Sequence, residues 1–201
     1  MGRSGPVGFD LDMTLIDSRP AIMAAFAELA SETGTAIDLA AVDGRLGIKL
    51  EDEVAFWFPP GQQAAAVACY RRHYVRLAPR LTTILPGACE AVAAVQAAGE
   101  RAVIITAKHS VSVEPSLRAV GLAVDEVFTH VHGPEKAAVL KNLHAAAYVG
   151  DSPPDVAAAV QAGAQAVGVT TGSFSRGELA GAGADVVLDS LAEFPAWYQG
   201  A

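Results

Sequence analysis

The sequence predicts an α/β fold: a parallel sheet covered by helices on both faces, with an all-helical segment inserted after the first strand. From residue 83 onward, short apolar runs typical of buried strands alternate with helical segments, which is the pattern of a parallel sheet. Residues 18–82 look helical throughout and are too numerous for a loop. We therefore expect a core of residues 1–17 and 83–201 and a small helical cap of residues 18–82.

The first strand and the inserted helices follow from local signals. Val7-Gly8-Phe9-Asp10 is an apolar run that ends in a carboxylate, as a buried strand does at a polar edge. Asp17-Ser18-Arg19-Pro20 combines capping residues with an early proline and predicts a helix start, and Gly34 ends that helix. Further helical pieces are predicted over residues 37–42, 50–58 and 62–77, the last ending before Pro79.

The remaining elements alternate between helix and strand. The spacing of Ser190 and Glu193 predicts a capping box at the start of a final helix. The other predicted elements are helices over residues 88–98, 114–120, 135–144 and 156–162, and strands over residues 101–106, 125–130, 147–151, 166–170 and 185–188.

Composition limits the class of protein. Of 201 residues, 52% are hydrophobic and 18% charged, which excludes a disordered chain. The formal net charge of -8 disfavours nucleic acid and anionic membranes as partners. No apolar run approaches the roughly 18 residues of a membrane helix, and no signal-peptide pattern is seen, so we expect a cytoplasmic protein. Cys69 and Cys89 lie outside CxxC patterns and have no neighbouring histidine at metal spacing, so we interpret both as reduced thiols rather than metal ligands.

Polar residues follow four of the predicted strands. In open parallel sheets the active site lies at the carboxyl ends of the strands, so these side chains should converge. Several carboxylates at one edge repel each other unless a cation lies among them, and Mg²⁺ is the natural oxygen-ligated cation. Bound metal also favours the ionised form of an aspartate that acts as a nucleophile. The candidate residues are Asp10, Asp12, Thr106, Lys136, Asp151 and Asp155.

Three stretches resemble motifs of one enzyme superfamily. Phe9-Asp10-Leu11-Asp12-Met13-Thr14 resembles the first motif, Asp-x-Asp-x-Thr, of the haloacid dehalogenase superfamily of phosphohydrolases. Ile105-Thr106 is similar to its second motif, and Gly150-Asp151-Ser152-Pro153-Pro154-Asp155 to its fourth. The resemblance covers essentially the whole chain, including a helical cap between the first two motifs, as in the phosphoglycolate phosphatase-like branch. It implies a Rossmann-like core.

The resemblance also implies a role for each residue. Asp10 would be the nucleophile that becomes an aspartyl phosphate, and Asp12 the general acid and then base, with its backbone carbonyl on Mg²⁺. Thr106 would hydrogen-bond the transferring phosphoryl group and Lys136 would neutralise charge. Asp10 and Asp151 would ligate Mg²⁺, and Asp155 would support the metal site.

The implied function is a Mg²⁺-dependent phosphatase that hydrolyses a small phosphorylated metabolite. An acid at Asp12 points to a phosphatase or a phosphomutase, because the superfamily's dehalogenases lack it. The alternatives are a sugar phosphomutase of the β-phosphoglucomutase type and a non-catalytic relative that binds a metabolite. A monomer and a dimer are equally compatible with the sequence.

Some positions depart from the family pattern or remain open. Met13 stands where this branch usually has glycine. Lys108 and Lys141 are rivals of Lys136 for the active-site lysine. Arg45, in a glycine-flanked loop of the cap, is a candidate substrate residue, as are Ala107 and Lys108 after the second predicted strand. His130 and His132 have the spacing of a ligand pair, but lack a third ligand, so we expect structural roles.

Overall fold

A computed structural model describes residues 4–200 of the chain. Its elements, in chain order, are β1 (Val7–Phe9), β2 (Ile16–Asp17), α1 (Arg19–Thr33), α2 (Leu39–Asp43), α3 (Leu50–Ala55), α4 (Pro60–Leu81), β3 (Thr83–Ile84), α5 (Ala88–Ala97), β4 (Ala102–Ile105), α6 (Ser110–Val120), β5 (Glu126–Phe128), α7 (Pro134–Leu143), β6 (Ala147–Gly150), α8 (Pro153–Ala162), β7 (Gln165–Val169), α9 (Arg176–Gly181), β8 (Val186–Leu188) and α10 (Phe194–Gln199).

Six strands form one sheet in the order β5-β4-β1-β6-β7-β8. Neighbouring strands are parallel, and Phe9 of the central strand β1 lies in register with Ile104 of β4 and Val149 of β6. Every residue of β1, β4 and β6 is buried, as expected for a parallel sheet covered on both faces. The predicted α/β fold with a parallel sheet is thereby confirmed.

Helices cover both faces of this sheet. On one face the Phe9 ring lies 5.4 Å from the Phe194 ring, and α10 packs against α5. On the other face Leu140 of α7, Val156 of α8 and Leu179 of α9 belong to one buried cluster with residues of β4, β6 and β7. The carboxyl ends of the central strands are thus held by packing on both sides.

The chain divides into two compact units. One contains the six-stranded sheet and comprises the chain up to Asp17, Ile84–Ala107 and the chain from Leu122. The other is helical and comprises Ser18–Thr83 and Lys108–Gly121. The sequence pattern places residues 108–121 in the core, but α6 packs along α4 of the helical unit, where the Tyr74 hydroxyl lies 3.0 Å from Ser116 Oγ.

Two helices are longer than the sequence pattern predicts, and each contains a proline. The pattern ends the fourth cap helix before Pro79, yet α4 continues to Leu81, and Thr82 N–H donates to Ala78 O at 3.0 Å. Similarly, α6 starts at Ser110 and contains Pro115. One missing N–H removes a single helical hydrogen bond, and packing along the rest of each helix offsets that loss.

The predicted capping box at Ser190 is wrong. The Ser190 side chain accepts from Ala192 N–H at the start of a 3-10 turn over Leu191–Glu193. A reciprocal capping box forms instead between Ser175 and Glu178 at the start of α9, a helix that the sequence pattern does not predict. Among residues 4–200, no helix has the length and apolar character needed to cross a membrane.

Candidate active site

Asp10 follows β1 directly, at the carboxyl edge of the sheet. Its N–H donates to Val149 O at 2.8 Å, which ties the start of the loop to the neighbouring strand β6. The loop then closes tightly, because the N–H groups of Leu15 and Ile16 both donate to Leu11 O. Met13 adopts a φ of 62° in this turn. That conformation favours glycine, so the backbone itself explains why glycine is usual at this position.

Lys136 lies against the carboxylates. It occupies the first turn of α7, is 6% exposed, and places Nζ 2.8 Å from Asp10 Oδ1 and 2.7 Å from Asp155 Oδ1. Of its two rivals, Lys108 places Nζ 4.3 Å from the Tyr74 ring centroid within the helical unit, and Lys141 is exposed. Of the three lysines, Lys136 is therefore the one within ion-pair distance of Asp10.

Asp155 is held by residues that sequence reasoning does not identify. The Tyr148 hydroxyl lies 3.3 Å from Asp155 Oδ1 and donates to Ile105 O at 2.8 Å. Ser152 Oγ donates to the other carboxylate oxygen. Gly150 makes room for this side chain, because a Cβ at residue 150 would lie 2.4 Å from Asp155 Cβ. Tyr148 reads as an ordinary strand residue, and only the fold reveals its contact.

Asp151 is also fixed from two sides. Thr14, the threonine of the first motif, donates its hydroxyl to Asp151 Oδ1 at 3.2 Å. The loop after β7 closes over the other oxygen, and a Cβ at Gly172 would lie 1.8 Å from Asp151 Oδ2. Gly172 therefore permits a backbone approach that no other residue type allows without displacing this carboxylate.

The charges in this cluster are unbalanced. One oxygen each of Asp10, Asp151 and Asp155 lie within 4.8 Å of one another. Burial raises the pKa of Asp10 to about 7 despite the opposing charge of Lys136, and burial likewise raises the pKa of Asp151. Burial lowers the pKa of Lys136, but Asp10 and Asp155 outweigh it and hold that pKa well above its usual value. Lys136 therefore stays charged.

A hard divalent cation fits this arrangement. The donors are carboxylate oxygens, which Mg²⁺ prefers, and three buried carboxylates face a single lysine. The cluster of side chains does not include Asp12. The described residues place neither His130 nor His132 in a group of three metal-ligating side chains.

Thr106 and Ala107 follow β4, the neighbour of β1 in the sheet. Thr106 is 1% exposed, its N–H donates to Phe128 O at 2.9 Å, and its carbonyl accepts from Val131 N–H at 3.0 Å. Because β4 and β1 are parallel neighbours in register, Thr106 lies at the same sheet edge as Asp10. The backbone around Thr106 is thus fixed on both sides.

Arg45 is engaged within the helical unit. Its Nε and Nη2 donate to the two carboxylate oxygens of Glu53 at 2.8 and 2.6 Å, and Trp57 Nε1 donates to the same carboxylate at 2.8 Å. The guanidinium carbon lies 4.4 Å from the Phe56 ring centroid. Nε and Nη2 already bind Glu53, which favours a structural role for Arg45.

Comparisons with known proteins identify the family of this chain. Residues 7–160 match the family model described as haloacid dehalogenase-like hydrolase. A phosphoglycolate phosphatase of Cupriavidus necator, plasmid-encoded, is 33% identical over 93% of this chain and 90% of its own length. Two solved structures share the fold. A predicted phosphoglycolate phosphatase from Haemophilus somnus has 21% identity and a TM-score of 0.85, covering 98% of this chain and 99% of its own. A haloacid dehalogenase-like protein from Streptococcus pneumoniae has 22% identity and a TM-score of 0.84, covering 99% of this chain and 100% of its own. The chain therefore belongs to the haloacid dehalogenase-like hydrolase family.

Proposed function

We propose that this protein is a Mg²⁺-dependent phosphatase that hydrolyses a small phosphorylated metabolite through an aspartyl phosphate on Asp10. The observation that carries the proposal is the position of Asp10: it lies at the carboxyl edge of the sheet, paired with Lys136 and clustered with Asp151 and Asp155. Family membership and a relative named phosphoglycolate phosphatase support the same reaction class.

In this mechanism Asp10 and Asp151 would hold the metal with their carboxylates, Asp12 would hold it with its backbone carbonyl, and Asp155 would support the site. Bound Mg²⁺ supplies positive charge that keeps Asp10 ionised and offsets the charge of the phosphoryl oxygens. Thr14 and Gly172 fix the orientation of Asp151, and Tyr148 and Ser152 that of Asp155. These contacts keep the ligand oxygens in place before the metal and substrate arrive.

The reaction then proceeds in two steps on the residues of the sheet edge. A carboxylate oxygen of Asp10 forms a bond to phosphorus, and the bond from phosphorus to the substrate oxygen breaks while Asp12 gives that oxygen a proton. Asp12 then takes a proton from water, whose oxygen attacks phosphorus and releases Asp10. Lys136 balances charge beside Asp10, and the Thr106 hydroxyl donates to a phosphoryl oxygen.

The helical unit, in this proposal, is the cap that selects the substrate. Its boundaries as a cap would be residues 18–82, with α6 added because α6 packs on α4. Ala107 and Lys108 are proposed to lie near the substrate because they follow Thr106 in the chain. Arg45 is the weaker candidate, since Glu53 already occupies its side chain.

A substrate screen tests the proposal. Phosphate release would be measured over a panel of phosphorylated metabolites, including short phosphorylated hydroxy acids and sugar phosphates, with Mg²⁺ and with EDTA. We expect Mg²⁺-dependent release that falls below about 1% in Asp10→Asn, because an amide is a poor nucleophile.

Three outcomes would contradict parts of this proposal. Isomerisation of a sugar phosphate without net phosphate release would indicate a phosphomutase. Binding of a metabolite with no turnover would indicate a non-catalytic relative. Full activity of Asp10→Asn would remove Asp10 from the nucleophile role.

A further inference from the structure

A second group of metal-ligating side chains lies within the helical unit. Cys69 and His73 belong to α4, and Glu32 lies near the end of α1. Each offers one ligand atom, and the three atoms lie within 4.8 Å of one another. We propose that Cys69, His73 and Glu32 form a Zn²⁺-binding site separate from the catalytic carboxylates.

The helices themselves bring these ligands together. Residues four apart share one face of a helix, so Cys69 and His73 point the same way from α4. That face packs against α1, where the Phe26 and Tyr70 rings lie 4.6 Å apart. The contact places His73 Nε2 2.8 Å from Glu32 Oε2, although the two residues are 41 positions apart in the chain.

The ligand chemistry favours zinc over magnesium. A thiolate, an imidazole nitrogen and a carboxylate oxygen are the three protein ligand types of Zn²⁺, whereas Mg²⁺ requires oxygen donors. Cys69 and His73 are 6% and 9% exposed, while the Glu32 side chain is 49% exposed, so the site is buried on one side and open on the other. Three protein ligands leave a fourth position for water.

A cation already lies between two of the ligands. Arg72 Nη2 is 2.6 Å from Glu32 Oε1 and 3.4 Å from Cys69 Sγ. The Arg72 side chain is 60% exposed, so it can turn into solvent when a metal ion takes over its charge. The metal would also take the place of the hydrogen bond between His73 Nε2 and Glu32 Oε2. The metal-free contacts thus show a site organised around positive charge.

Cobalt is the probe, because Co²⁺ bound to a thiolate gives a charge-transfer absorption that carboxylate-bound Co²⁺ lacks. Titration of the full chain with Co²⁺ is expected to produce this absorption, saturating at one ion per chain, and Zn²⁺ is expected to abolish it. Cys69→Ser should lose the absorption and weaken Zn²⁺ binding by more than the roughly 10–100-fold cost of removing an outer-shell partner. Cys89→Ser is the matched control and should keep both the absorption and the Zn²⁺ affinity, because Cys89 is exposed and outside the cluster.

Glu32→Gln provides a second variant at an exposed position, and it should weaken Co²⁺ binding while keeping the thiolate absorption at high Co²⁺. Absence of a thiolate absorption in the unaltered chain would overturn the proposal. So would an absorption that survives in Cys69→Ser, or wild-type Co²⁺ affinity in Glu32→Gln. The readout does not depend on phosphatase activity, so it stands apart from the proposed function.

Discussion

The Asp10 carboxyl makes the stability of the metal-free protein depend on pH. Asp10 is 8% exposed, and its pKa is raised from 3.8 to about 7, chiefly by burial. The folded chain therefore binds this proton more tightly than the unfolded chain does. Its contribution to stability is complete below about pH 4 and is lost as the pH rises through about 7. Asp10→Asn carries a neutral amide at every pH, so its stability should not fall in this way as the pH rises.

The size of the effect follows from the two pKa values. The difference between 3.8 and about 7 corresponds to about 4 kcal/mol when the pH lies above both values. Between about pH 4.5 and about pH 8, wild type should lose about 3 kcal/mol of unfolding free energy relative to Asp10→Asn. Glu32 acts in the opposite direction, because hydrogen bonds from Arg72 and His73 lower its pKa to about 2. It is present in both proteins and cancels.

Urea unfolding in EDTA, followed by the fluorescence of Trp57 and Trp197, measures this difference at the two pH values. Parallel stability profiles for wild type and Asp10→Asn would refute the reasoning. Added Mg²⁺ should stabilise wild type more at the higher pH than at the lower, because the metal binds ionised carboxylates. Equal stabilisation at both values would contradict the assigned ligands.

Three substitutions test the surroundings of the site. Gly172→Ala should weaken Mg²⁺ activation of phosphate release by roughly 10–100-fold, because its Cβ would displace Asp151; Gly177→Ala, whose Cβ meets nothing within 4 Å, should not. Equal Mg²⁺ activation in the two variants would contradict the close approach of residue 172 to Asp151. Lys136→Met should lower kcat by about 100-fold or more, whereas Lys141→Met on the same helix should leave it unchanged. Comparable losses of kcat in the two variants would contradict a specific role for Lys136 beside Asp10. Arg45→Ala should lower the unfolding free energy, because Glu53 loses two hydrogen-bond donors, and should reduce turnover of the native substrate and of an aryl phosphate equally. A loss confined to the native substrate would instead make Arg45 a substrate contact.

The sequence predicts the sheet and the convergence of its carboxylates because both follow from short-range patterns. Each of Asp10, Asp151 and Thr106 ends an apolar strand, and parallel strands bring their ends to one edge. The active-site lysine is harder to predict from the sequence, because loop length alone does not say which of several candidate lysines reaches Asp10. Only the start of α7 at Pro134 places Lys136 beside it.

The supporting contacts were beyond sequence reasoning for a different reason. Tyr148 and Gly172 act through neighbours far along the chain, and neither lies in a recognisable polar motif. The expectation that neither cysteine has a histidine at metal spacing is wrong for Cys69, because His73 lies four residues further on and shares its helix face. Glu32 completes that cluster only after α1 packs on α4.

The helical unit is built from two separate stretches of chain, and this constrains how such enzymes exchange parts. Its second stretch, Lys108–Gly121, begins two residues after Thr106 and buries Ser112, Val113 and Ser116. A graft that replaced Ser18–Thr83 alone with the corresponding segment of a relative would leave this face of α6 against a foreign surface. Recombination between family members should therefore succeed when both stretches are exchanged at once, because α6 and α4 pack together although they are separated in the sequence.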